Sequence, residues 1–73
     1  MDADIIKILE NAMDLDDNSI TPEDVLEDMD EWDSISKLSF VAYVKEKMGK
    51  QISIMDVSRF VTVQDAIDFF EKE

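Results

Sequence analysis

Asp33 and Ser34 stand where the chain changes character, inside the stretch DMDEWDSISKLSF from Asp28 to Phe40. A run of acids ends at Trp32, an aspartate and a serine follow, and the chain then turns apolar and basic. A carboxylate just before an apolar-periodic segment suits a helix N-cap, because its oxygen accepts from backbone N–H groups that have no partner within the helix. Ser34 then falls in the first turn, with its hydroxyl near the positive end of the helix dipole. A phosphate attached there would be stabilised by the dipole and by those N–H groups. A second account needs no such chemistry: Asp33 or Ser34 simply caps the helix, and Trp32 packs as a hydrophobic staple. The tripeptide alone leaves both open.

Other chemistries fail on residue type or spacing. Asp14, Asp16 and Asn18 take the first, third and fifth places of a calcium loop, but Ser19 stands where the turn needs Gly and Val25 where the bidentate Glu belongs. A solvated acidic surface is the better reading, and no metal site is expected. Paired carboxylates could exchange protons only in a pocket that desolvates one of them, and a small helical domain offers little concavity. With no His and no Cys, the chain has no His-based triad, thiolate nucleophile or ordinary zinc site. The protein is not expected to be an enzyme.

The elements that must position Ser34 follow from periodicity. Ile5, Ile6, Ile8, Leu9, Ala12, Met13 and Leu15 keep the three-and-four spacing of one helical face, which predicts a helix over about 3–14, with Asp2 and Asp4 suited to its start. From Asp14 to Asp33 there are ten acids and no base, broken by NSITPED, whose Thr21–Pro22 chemistry suggests a turn of helix around 22–26. A second helix is predicted over 34–48, stopped by Gly49. On it Ile35, Leu38, Val41, Ala42 and Lys45 share a face, widened by Phe40, Val44 and Met48, which makes it the most buried helix expected. A short extended piece and a helical turn at 56–60 lead to a last helix capped by Thr62, with Val63, Ala66, Ile67 and Phe70 inward.

The expected fold is therefore all-α: a small four-helix bundle, three main helices plus a short third one, with a long acidic first loop. Seventy-three residues form one domain over 1–73, with no room for a second core and no Cys to staple it. A formal charge of -12 repels nucleic acid and anionic lipid and favours a monomer and a protein partner. Met1-Asp2-Ala3-Asp4 is acidic where a signal peptide would be basic, and the longest apolar run is only Phe40 to Val44. A cytoplasmic location and no membrane span are expected.

Three stretches in order, WDSI, MGKQI and TVQDAIDFF, give the chain its resemblance to the acyl carrier protein family, over nearly its whole length. WDSI is similar to the family's Asp-Ser-Leu motif, with Ile35 for Leu. MGKQI is similar to its aromatic-Gly-x-x-Ile helix ending, with Met48 for the aromatic. TVQDAIDFF is similar to its Thr-Val-x-x-Ala-Ile-x-aromatic fourth helix. The resemblance implies that Ser34 is the attachment point for 4'-phosphopantetheine, transferred from coenzyme A by a phosphopantetheinyl transferase, with Asp33 aiding helix start and transferase recognition. The arm's thiol would carry an acyl or aminoacyl group as a thioester, supplying the sulfur the chain lacks. Further implied partners are a loading ligase and downstream transferases or synthases.

The chain departs from the family where partners dock. Typical members present an acidic second helix, whereas 34–50 here holds Lys37, Lys45, Lys47 and Lys50 against Glu46 alone. This points to a specialised stand-alone carrier. The alternatives are a housekeeping fatty-acid carrier, a D-alanyl or other aminoacyl carrier or, from another class, an unmodified acidic helical adaptor. Partner contacts are expected at Ile35, Ser36, Lys37, Leu38, Ser39 and Lys45, and Val57, Phe60 and Val61 are expected to line the side where family members shelter cargo.

Overall fold

A computed structural model describes residues 2–71, with side chains from residue 4 onward. Its order is α1 (Asp2–Ala12), a 3-10 turn (Leu26–Asp28), α2 (Ser34–Met48), α3 (Ile54–Ser58) and α4 (Val63–Glu71). The expected all-α bundle with a long first loop is what forms, and among the described residues there is no strand beyond one isolated antiparallel bridge between Val25 and Thr62.

α1 buries Ile5, Ile8 and Leu9, and Met13 just past its end is buried with them, along the stripe the spacing predicts. It stops two residues early, at Ala12, because Asp14 takes a left-handed backbone with φ 57°. The suggested cap at Asp2 falls on a side chain outside those described. Glu10 lies on the buried side as well, only 1% exposed. Its carboxylate accepts the N–H of Ser19 at 2.8 Å and of Ile20 at 3.3 Å, while its carbonyl accepts the N–H of Leu15 at 2.8 Å. One residue of α1 thus holds both ends of the segment that follows it.

The rest of the acidic loop is tied to the far end of the chain. Glu27 N–H donates to the Val61 carbonyl, Val63 N–H to that of Asp24 and Gln64 N–H to that of Pro22, at 3.3, 3.0 and 3.0 Å. The turn of helix expected at 22–26 forms later, as the 3-10 turn at Leu26–Asp28, which sinks Leu26 into the core. Thr21 to Asp24 closes instead as a tight turn, with Thr21 N–H on the Asp24 carboxylate at 2.9 Å.

α3 begins two residues before the expected 56–60. Ser53 and Asp56 form a reciprocal capping box, and the cap sets the start. α4 starts in the same way: Thr62 Oγ1 accepts from Asp65 N–H at 3.1 Å, while the Asp65 carboxylate accepts from Thr62 and Val61 N–H at 3.0 Å each. Its buried residues are the predicted Val63, Ala66, Ile67 and Phe70.

Phe40 of α2 is the hub of the core. Its ring meets Trp32, Phe60 and Phe70 at centroid distances of 6.0, 6.2 and 6.3 Å, the first two edge-on. Leu9, Leu26, Val44, Val57, Val63 and Ile67 are fully buried around it, as are the smaller Ala66 and the carboxylate-bearing Glu10.

Candidate functional site at the start of helix 2

Helix α2 spans the predicted 34–48 because both ends carry their signals. Asp33 is the N-cap, its side chain accepting from Ser36 N–H at 2.9 Å, and Gly49 takes the left-handed C-cap at φ 66° with its N–H on the Lys45 carbonyl. The Ser36 N–H, foremost, holds the Asp33 carboxyl below its usual range, with weaker help from the Ser36 hydroxyl and the Ile35 N–H against a small opposing effect of burial. Ser34 follows as the first helical residue and is exposed. No acid lies in the first turn of α2, so the positive end of its dipole is not neutralised from within the helix.

Trp32 is buried on the other side of Asp33, edge-on to Phe40. Its Nε1–H is buried without a hydrogen-bond partner. The capping account of Asp33 is therefore realised, Trp32 is anchored on Phe40 further along the helix, and Ser34 is left exposed. Capping and attachment do not compete, because separate side chains serve them.

The outer face of α2 differs from the one expected. Apolar residues lie on both sides of this helix. Phe40 and Val44 face the core, with Val41 and Met48 half-buried, whereas Ile35 is 76% and Leu38 59% exposed and Ala42 is exposed with them. Grouping Ile35, Leu38, Val41, Ala42 and Lys45 traced the face that looks outward, so α2 is not buried all round. Lys45 is exposed on it, beside Val41, Gln51, Ile52 and Ser53, which enclose a depression of about 370 Å³. Met55 of α3 adds an apolar side chain that is 67% exposed, which sequence reasoning missed.

One of the expected partner contacts is turned away from that face and two are only partly exposed. Ser36 is 7% exposed, its hydroxyl donating to the Glu31 carbonyl at 2.5 Å. Lys37 and Ser39 are half-buried. The reason is helical phase: residues 36 and 40 sit one turn apart on the face that carries Phe40 inward. The cargo-lining set also divides. Val57 and Phe60 belong to the packed core, and only Val61 is exposed. Phe60 reaches the surface at the floor of a depression of about 270 Å³ shared with Asp56, Arg59, Asp65, Asp68 and Phe69.

Among the described residues no three His, Cys, Asp or Glu converge as a metal-holding group, and no helix is long and apolar enough to cross a membrane. Compared with known proteins, the chain is 33% identical over 69 residues to a protein of Micrococcus luteus named acyl carrier protein, covering 94% of this chain and 85% of that one. It is 34% identical over 67 residues to an acyl carrier protein of Myxococcus xanthus, covering 92% and 85%. No solved structure matches it. The family described as Phosphopantetheine attachment site matches residues 3–70, from α1 to the end of the buried face of α4. Matched over almost its whole length by that family and by both relatives, the protein belongs to the acyl carrier protein family, whose members bear phosphopantetheine.

Proposed function

We propose that Ser34 is the residue that bears 4'-phosphopantetheine and that the chain, as one domain over 1–73, carries an acyl or aminoacyl group between cytoplasmic enzymes of a specialised pathway. The observation that carries this reading is the exposed Ser34 hydroxyl at the first position of the 15-residue α2, beside the Asp33 cap. The residues present fit the group. The helix dipole favours a phosphodiester at this end, while the Ser36 N–H is already held by Asp33. The exposed acids Asp30, Glu31 and Asp33 oppose an anion there, and the dipole at the helix start works against them.

In the loading step the Ser34 oxygen bonds to the phosphorus that becomes the phosphodiester. The pyrophosphate bond of coenzyme A breaks, 3',5'-ADP leaves, and the serine proton passes to the transferase. When bound, the arm supplies a thiol that holds the cargo as a thioester. This chain's own residues orient the hydroxyl and present a docking face, and the catalytic groups belong to the partner enzymes.

That face is best drawn through Ile35, Leu38 and Lys45, with Lys37 at its edge. The lysines of α2 support a partner other than one built for an acidic helix, and hence a specialised carrier. Incubation with coenzyme A and a promiscuous phosphopantetheinyl transferase tests the reading. Wild type gains the mass of one phosphopantetheine and Ser34→Ala gains none. A wild type that gains nothing would return the chain to the class of unmodified acidic adaptors.

A further inference from the structure

Ser36 lies two residues after Ser34 and does a different job from the one its sequence position suggests. Side chains two apart on a helix point to different faces, so Ser34 is exposed while Ser36 is buried. Both polar groups of Ser36 reach back across the helix start. Its N–H donates to Asp33 Oδ1 at 2.9 Å and its hydroxyl donates to the Glu31 carbonyl at 2.5 Å. These two bonds straddle Trp32, whose own N–H donates to the Met29 carbonyl at 3.1 Å and whose ring packs on Phe40, one turn beyond Ser36. The backbone from Glu31 to Ser36 is thereby closed into a ring, with Ser34 on its outer rim.

Resting on the assignment of the arm to Ser34, we propose that Ser36 is a positioning residue for that modification, its hydroxyl clamping the loop end to the helix start so that the Ser34 oxygen meets the transferase in one geometry. A helix start held only by its N-cap frays, because its first N–H groups have no partners within the helix. The Ser36 hydroxyl adds a second hold that the Asp33 cap cannot provide, since it fixes the residue before Trp32 as well as the one after. An alanine keeps the N–H bond to Asp33 and removes the hydroxyl's bond to Glu31, together with its weaker help to the Asp33 carboxylate. The helix survives, and the approach to Ser34 loosens. Transfer depends steeply on the placement of the attacking oxygen, so the loss falls on kcat. Docking through Ile35 and Leu38 is untouched, so KM is spared.

The test measures phosphopantetheine transfer from coenzyme A to the full chain, in wild type, Ser36→Ala and Ser36→Thr, well below each protein's melting range. Backbone order at residues 31–34 is read in parallel by nitrogen-15 relaxation. Ser36→Ala is expected to lower kcat about tenfold with KM changed by less than about twofold, and to lower order at 31–34 but not elsewhere in α2. Ser36→Thr, which keeps the hydroxyl, is expected to restore both. A Ser36→Ala protein with wild-type kcat, unchanged order at 31–34, or a Ser36→Thr protein as slow as the alanine variant each overturn the role of Ser36. A wild type that is not modified at all overturns the assignment of Ser34 instead, a separate failure.

Discussion

The carboxylate of Glu10, buried in the last turn of α1, accepts the backbone N–H of Ser19 nine residues away. With the neighbouring N–H of Ile20 it fastens the acidic loop to the helix before that loop runs on to Trp32 and Ser34. Glu10→Ala leaves the buried Ile20 N–H without its acceptor. It is expected to cost about 2 kcal/mol, the usual penalty for stranding such a group, and to lower the melting temperature by about 10 °C in a domain of this size. Glu10→Gln retains an acceptor and should lose less. Thermal unfolding with amide exchange at Ser19 and Ile20 checks this, and an alanine variant that melts with wild type would remove the latch from the account.

Acid should act on two caps. The N–H groups of Thr62 and then Val61 pull the Asp65 carboxyl below its usual range, as that of Ser36 does for Asp33. A folded-state value lower than the unfolded one means that each cap's contribution is complete above the ordinary value of 3.8 and is lost as the pH falls through the depressed value. Acidification also relieves the self-repulsion of a -12 chain, so total stability is the wrong measure. The difference between wild type and Asp65→Asn isolates the cap. It should favour wild type at neutral pH and shrink below pH 3.8, and a difference that stays flat to acid contradicts the shift.

Trp32 combines a well-packed ring with a stranded donor. Trp32→Ala removes the ring beside Phe40 and is expected to cost about 3–5 kcal/mol. Trp32→Phe leaves most of the packing and removes the unpartnered N–H, whose burial opposes folding by about 1–3 kcal/mol, so its net cost should stay below about 1 kcal/mol. Urea unfolding of both variants gives the ratio, and a phenylalanine as damaging as the alanine would mean that the indole nitrogen is satisfied in solution.

The two sides of α2 should separate function from stability. Ile35→Ser and Leu38→Ser change exposed side chains and are expected to move stability by less than about 0.5 kcal/mol while raising the KM of the loading enzyme several-fold. Phe40→Ala, at the centre of the core, should cost about 3–5 kcal/mol. Paired melting curves and loading assays decide it: wild-type loading by the two serine variants would move the docking face elsewhere.

What the sequence made legible was whatever had a local cause. The bounds of α2 follow from Asp33 and Gly49, and the inner face of α4 from its four regularly spaced apolar residues. The start of α3 was also legible in Ser53-x-x-Asp56, a capping box that the reading of 56–60 passed over. The faces of α2 were harder, because a helix with apolar residues all round does not say which side the bundle covers. Glu10 gave a signal too weak to use alone, an acid in register with Ile6 and Met13 on an apolar stripe. Its partners are loop N–H groups, which only the folded chain brings to it. Ser36 failed for the same reason: its acceptor is a backbone carbonyl, and no residue type announces that.

The outward apolar side of α2 also has a colloidal consequence. Ile35, Leu38 and, on α3, Met55 would make a sticky patch on a neutral protein of this size. Copies of this one approach each other with a net charge of -12 apiece, against a screening length of about 8 Å at physiological salt. The surplus of acid, gathered mostly in the loop, therefore works as a spacer between molecules. On the docking face proposed above, that spacing would leave Ile35 and Leu38 vacant for a partner whose charge is not repelled.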